Sequence, residues 1–182
     1  SVSKFWDVLK SYRDGFGYDV LHNKVVALLM LCGGFTKYVY VFSYNYVKEE
    51  DVKKLFSAAE SVKLPLKYQL AGYEDIADAY CLGPEGAKVY EETSTAIFRG
   101  YLAERREEML AAIREAGSIG RSLGLRLLSE DPGQNRTELL KFAQDTANAV
   151  KEELLELLYQ QTDWEEDIIA LLSSKKAADR DV

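Results

Sequence analysis

Apolar residues recur along this chain with two different periods. Phe5, Trp6, Leu9 and Tyr12 keep helical spacing and predict a short amphipathic helix over 3–13. A second helix is expected from about Asp19 to Cys32, closed by Gly33-Gly34. Its second half, Val25 through Cys32, is apolar on every side and reads as buried. The period then falls to two. Tyr38, Tyr40, Phe42, Tyr44 and Tyr46 alternate with Val39, Val41, Ser43, Asn45 and Val47, which predicts a strand over about 36–47. Helical spacing returns over 49–63, with Val52, Leu55, Phe56, Ala59 and Val62 on one stripe, and Leu64-Pro65 stops it. Residues 66–71 read as a second strand, so that strand, helix and strand compose a small βαβ unit.

Beyond Tyr73 the pattern is helical throughout. A short helix is expected at Glu74–Leu82, and a long one from about 85 to 116 behind Gly83-Pro84. Gly117, Gly120 and Gly124 interrupt the chain next, and Asp131-Pro132-Gly133 predicts a turn. Asn135 followed by Glu138 reads as the cap of a helix over 136–161, with the stripe Leu139, Ala143, Ala147, Val150, Leu154 and Leu157. Thr162-x-x-Glu165 reads as a capping box opening a last helix that carries Trp164, Ile168, Ile169 and Leu172. The fold class expected is α+β, mostly α. N-terminal helices and the βαβ unit make a small α/β half over 1–82, and a helical hairpin or bundle fills 83–182, in one compact domain overall.

Composition narrows the class. The chain has 182 residues, 47% apolar and 29% charged, enough to bury a core. The longest apolar run is the eight residues from Val25 to Cys32, too few to span a bilayer. No basic, apolar and small-residue succession marks a secretory leader. Cys32 and Cys81 do not make a disulfide framework. A cytoplasmic protein without a membrane partner is therefore expected. Four Asn, five Gln, two Cys and two Met among many charged residues also fit a thermophilic source.

The net charge of −7 argues against a surface that is basic overall. Its distribution is uneven. Residues 99–126 carry six arginines against four glutamates, net +2, whereas 138–182 carry five basic and 11 acidic residues, net −6. Two neighbouring helices matched in charge account for this, and so does one basic face. On the second account, Arg105, Arg106, Arg114 and Arg121 are the candidate nucleic-acid contacts on an Arg-rich helix over 99–126.

Candidate chemistry is sparse. His22 is the one histidine, so a histidine zinc site is excluded and a nucleophile would have a single base to use. Glu74, Asp75 and Asp78 fall three and four apart on one helix face after a strand, a pattern that suits Mg²⁺ or Mn²⁺. It equally suits acids placed at a helix start by its dipole. Gly117-Ser118-Ile119-Gly120-Arg121-Ser122 has the small residues of a phosphate cradle, or of a kink. Tyr38, Tyr40, Tyr44 and Tyr46 resemble a base-stacking platform, but lack interleaved cations and read as core.

The function expected is a non-enzymatic interaction or assembly subunit, homo-oligomeric or part of a multisubunit complex, of protein alone or nucleoprotein, with no cofactor. Its interface is placed at Leu154, Leu158, Trp164 and Ile168. The two alternatives are an accessory nucleic-acid-binding protein using the arginines and a Mg²⁺- or Mn²⁺-dependent hydrolase or nuclease using the carboxylates.

Overall fold

The computed structural model describes residues 48–61, 63–77, 84–160, 162–167 and 169–170. The chain divides into two compact units, Ser1–Gly120 and Arg121–Val182. Every regular element among the described residues is helical: α1 (Glu49–Ser61), α2 (Leu66–Ala77), α3 (Pro84–Glu104), α4 (Arg106–Glu115), α5 (Ser118–Ser129), α6 (Pro132–Lys141) and α7 (Asn148–Tyr159), with 3₁₀ turns at Phe142–Gln144 and Thr162–Trp164.

This corrects the expected βαβ unit. Its second strand, 66–71, is the first half of α2. Six residues are too short a window to separate a period of two from one of 3.6. Over the whole segment the buried residues are Leu66, Tyr68, Gln69, Leu70, Tyr73 and Ile76; all but Tyr68 follow one helical stripe. The Pro65 carbonyl accepts the N–H groups of Tyr68 and Gln69, so proline starts this helix as well as ending the one before. The expected strand 36–47 and the helices 3–13 and 19–32 lie outside the described residues.

In the first unit α1 follows its predicted span. Glu49, Glu50 and Asp51 occupy its first turn, where the helix dipole favours anions, and Val52, Phe56 and Ala59 are buried. Its end is a Schellman motif: Lys63 N–H donates to Glu60 O (2.9 Å) and Leu64 N–H to Ala59 O (3.0 Å). Lys63 takes the left-handed conformation this requires, at φ 53°, and Leu64 is buried beside it. A side chain pays about 1 kcal/mol there that glycine does not. Lys63→Gly is expected to stabilise the chain by about that amount, read as a higher urea midpoint; a lower midpoint would show that the lysine side chain matters more than its backbone.

Helix α1 packs on α3, and α4 packs on both α2 and α3. Aromatic rings lock these helices together. Phe56 meets Phe98 edge-on at 5.2 Å, Tyr73 stacks on Tyr90 at 5.5 Å, and Tyr73 meets Phe98 edge-on at 5.8 Å, pairs that stabilise beyond simple burial. The single helix expected over 85–116 is two helices. Arg105 leaves the helical region at φ −132°, ψ 52°, with no glycine or proline to announce it.

The second unit corrects two further expectations. Asp131, not Asn135, caps α6: its carboxylate accepts Gln134 N–H (3.1 Å) with Pro132 in the first turn. Asn135 is buried, and its amide donates to Leu128 O (2.9 Å) and Asp131 O (3.0 Å). The helix expected over 136–161 is broken at 145–147. There the Asp145 carboxylate accepts Ala147 N–H (2.8 Å), a local bond that competes with helical pairing. The core of this unit is nearly all leucine: Leu123, Leu125, Leu127, Leu128, Leu139, Leu154 and Leu158, closed by Phe142, Val150 and Trp164.

Candidate functional site

Four places on the chain bring charged or exposed apolar side chains together. The first is the junction of α1, α2, α3 and α4. The break after α3 swings the Arg105 guanidinium onto both Glu60 oxygens (3.1 and 3.2 Å) and onto Glu108 (3.0 and 3.3 Å), and over the Tyr101 ring at 5.1 Å. Glu108 also accepts Leu66 N–H (3.1 Å), and Glu60 accepts the Gln69 amide (2.6 Å). Burial alone would raise the Glu108 carboxyl, but Leu66 N–H and Arg105 hold it below its ordinary value. The Tyr101 hydroxyl is pushed well up, first by burial and then by the Glu60 carboxylate. The arrangement ties the ends of four helices together.

The second place is the start of α5. Glu74 Oε1 accepts Gly117 N–H (2.9 Å), putting a carboxylate against the positive end of a helix. A Cβ at Gly117 would run into the Glu74 carboxylate. One at Gly120 would come within 2.9 Å of Glu74 Oε1 and 2.7 Å of Ala116 Cβ. The glycines that suggested a phosphate cradle thus make room for an anion of the chain's own. Beside them lies a groove of about 310 Å³ between α2 and α4, where Lys67, Glu74 and Glu115 are the charged lining. Of the proposed metal ligands, Glu74 is the helix cap just described. The Asp75 side chain and Asp78 lie outside what is described. Among the described residues, no group of three or more His, Cys, Asp or Glu side chains is arranged to hold a metal ion.

The third place holds the remaining arginines. Arg121 pairs with Asp145 through two bonds (2.7 and 3.0 Å), and the Asp145 side chain is only 6% exposed. Burial would raise the Asp145 carboxyl, but Arg121, the Ala147 N–H and the nearby Lys151 hold it below the ordinary aspartate value. Of the four candidate nucleic-acid contacts, Arg105 and Arg121 are therefore engaged in ion pairs within the chain, Arg106 is half-buried and Arg114 is exposed. They do not stand on one helix, since the chain breaks at Arg105 and again at 116–117.

The fourth place is the outer face of α7. Leu154, Leu158 and Trp164, expected at an interface, are buried in the core of their own unit, and Ile168 lies outside the described residues. The exposed apolar residues of the same helix are Leu155, 59% exposed, and Tyr159, 91% exposed. One turn separates them, so they form a ridge. Exposed Glu152 and Glu156 run beside it, while Glu153 is turned inward to accept the Ser122 hydroxyl at 2.5 Å. Ile169, 55% exposed, follows the next turn, which Arg136 anchors through Asp163, Asp167 and the Trp164 ring.

The expected stripe already turned Val150 and Leu154 inward, and the structure completes it with Leu158 rather than Leu157. Tyr159 was legible from the same count: nine residues past Val150, at 100° each, it falls on the opposite side of the helix.

Among the described residues, no helix is long and apolar enough to cross a membrane. Comparison with protein-family models, curated proteins and solved structures finds no match for this chain.

Proposed function

We propose that this chain is a non-enzymatic assembly subunit that binds another protein, a second copy or a different subunit, through the outer face of α7. The observation that carries the reading is the ridge of Leu155 and Tyr159. A tyrosine 91% exposed one turn from a leucine 59% exposed leaves large apolar surface in water, on a regular helix whose inner face is already satisfied by Val150, Leu154 and Leu158. Tyrosine is favoured at protein interfaces because it offers a broad apolar body at small entropic cost. The carboxylate proposed for chemistry, Glu74, supports this reading by capping a helix.

The test is the size of the protein in an extract of its source cells, by gel filtration of an epitope-tagged chain. The wild type is expected to elute well above its own 20.6 kDa, and Leu155→Glu/Tyr159→Ser, altered only at exposed positions, to fall back to that mass. Light scattering on the chain produced by itself in a foreign host then separates the two kinds of partner, because only self-assembly is open to it there. A wild type that elutes at 20.6 kDa in extract would refute the assembly role. A complex indifferent to the double substitution would move the interface elsewhere.

A further inference from the structure

The α7 ridge is asymmetric, and the asymmetry selects its partner. On a helix advancing 100° per residue, Leu155 and Tyr159 lie about 40° apart, and Glu152 and Glu156 follow on the same side, about 20° and 60° beyond Tyr159. Both glutamates are exposed. The other side of the ridge carries Lys151, half-buried and close enough to Asp145 to help hold that carboxylate ionised. The apolar ridge therefore has one acidic flank and, among the described residues of α7, no exposed cation to balance it.

A second copy is a poor match for such a surface. In an antiparallel pair about a two-fold axis, the same flank of each helix faces the other, so Glu156 would lie beside Glu156 of the other copy. Like charges facing each other across an interface act against the pairing. In a parallel pair the cation offered to each acidic flank is Lys151, which is half-buried and already within electrostatic reach of Asp145. The unit as a whole adds no net positive charge, since Arg121–Val182 carries eight basic and 13 acidic residues, net −5.

Resting on the assembly reading above, we infer that the α7 face takes a basic amphipathic helix from a different protein. Its apolar stripe covers Leu155 and Tyr159, and lysines or arginines along one edge meet Glu152 and Glu156. Apolar contact supplies affinity in this mode, and the charged edge supplies orientation and choice of partner.

The test uses three synthetic amphipathic helices with one leucine stripe, flanked by lysine, glutamine or glutamate, and titrates each with the full-length chain by fluorescence anisotropy. The lysine-flanked peptide is expected to bind at least about tenfold more tightly than the glutamate-flanked one, with an advantage that shrinks as salt screens it. In Glu152→Lys/Glu156→Lys that order should reverse. In Leu155→Glu/Tyr159→Ser all three should lose binding. Equal affinity for the three peptides, or a lysine preference unchanged by the charge reversal, would overturn the basic partner while leaving the apolar dock standing. Binding that is indifferent to Leu155→Glu/Tyr159→Ser would overturn the dock itself, and this inference with it.

Discussion

Replacing Leu154 with glutamate is expected to unfold the second unit, while the same change at Leu155, the next residue, is expected to leave it folded. Leu154 is 1% exposed. A carboxylate there either ionises without a partner or is held protonated against its ordinary preference. On top of that comes the packing lost with a leucine, about 2–5 kcal/mol in comparable cores. Together these reach the whole stability of an ordinary domain, about 5–15 kcal/mol. Leu155 sits in water already, and a surface change of this kind stays within about 0.5 kcal/mol. Far-UV circular dichroism and urea unfolding of the two variants measure the contrast. A Leu154→Glu chain with wild-type ellipticity and midpoint would mean that α7 is rotated from the position described.

The second large effect belongs to the Arg121–Asp145 pair. Removing one partner of a buried ion pair leaves the other charge without compensation, at a cost of about 3–5 kcal/mol. Arg121→Met is expected to lose stability on that scale. Arg121→Met/Asp145→Leu should recover much of it, because two apolar groups leave no orphaned charge. The loss should be smaller than for an isolated charge wherever Ala147 N–H still serves the carboxylate.

The pH dependence carries its own sign. In the wild type the folded-state pKa of Asp145 is depressed. Its contribution is therefore fully present above the ordinary aspartate value of 3.8 and disappears as pH falls through the lower folded value. With Arg121 gone, burial dominates and the carboxyl is raised instead, so acidifying from neutrality should relieve the variant. Urea midpoints between neutral pH and pH 3 would show wild type and variant converging. Parallel curves would show that Arg121 is not what holds the carboxylate ionised.

How far the fold was legible depended on what stops each helix. Where a strong local signal stands, as at Leu64-Pro65 or Gly83-Pro84, the expected and observed boundaries agree within two residues. Where the stop is a side chain reaching across space, the sequence reading ran straight through it. Arg105 breaks a helix while binding Glu60, 45 residues away. Asp145 breaks another while binding Arg121, 24 residues away. Neither distance is visible to periodicity. The segment 66–71 failed differently: its few residues satisfy both periods, and only the continuation to Ile76 decides for the helix.

The candidate site was legible in part for the same reason. That α7 carries more leucine than one neighbour can cover followed from counting. Which leucines face outward turned on one step, since Leu158 rather than Leu157 completes the inner stripe that Val150 and Leu154 begin. The arginines were equally conspicuous, but conspicuous charge says nothing of its partners, and two of the four proved to hold the chain together.

The Glu74 cap gives the chain a linkage that no local reading supplies. The room vacated at Gly117 is bounded by one particular carboxylate, so a side chain there requires Glu74 to leave the Gly117 N–H. Once Glu74 is gone, the absence of a side chain at Gly117 ceases to matter. Gly120 answers to a second neighbour, because a Cβ there would also press on Ala116 Cβ at 2.7 Å. In the lineage of this protein positions 74 and 117 would therefore change as a single character, while 120 stays tied to 116 as well. A library that varies 74 and 117 independently would mostly sample combinations that lose this cap.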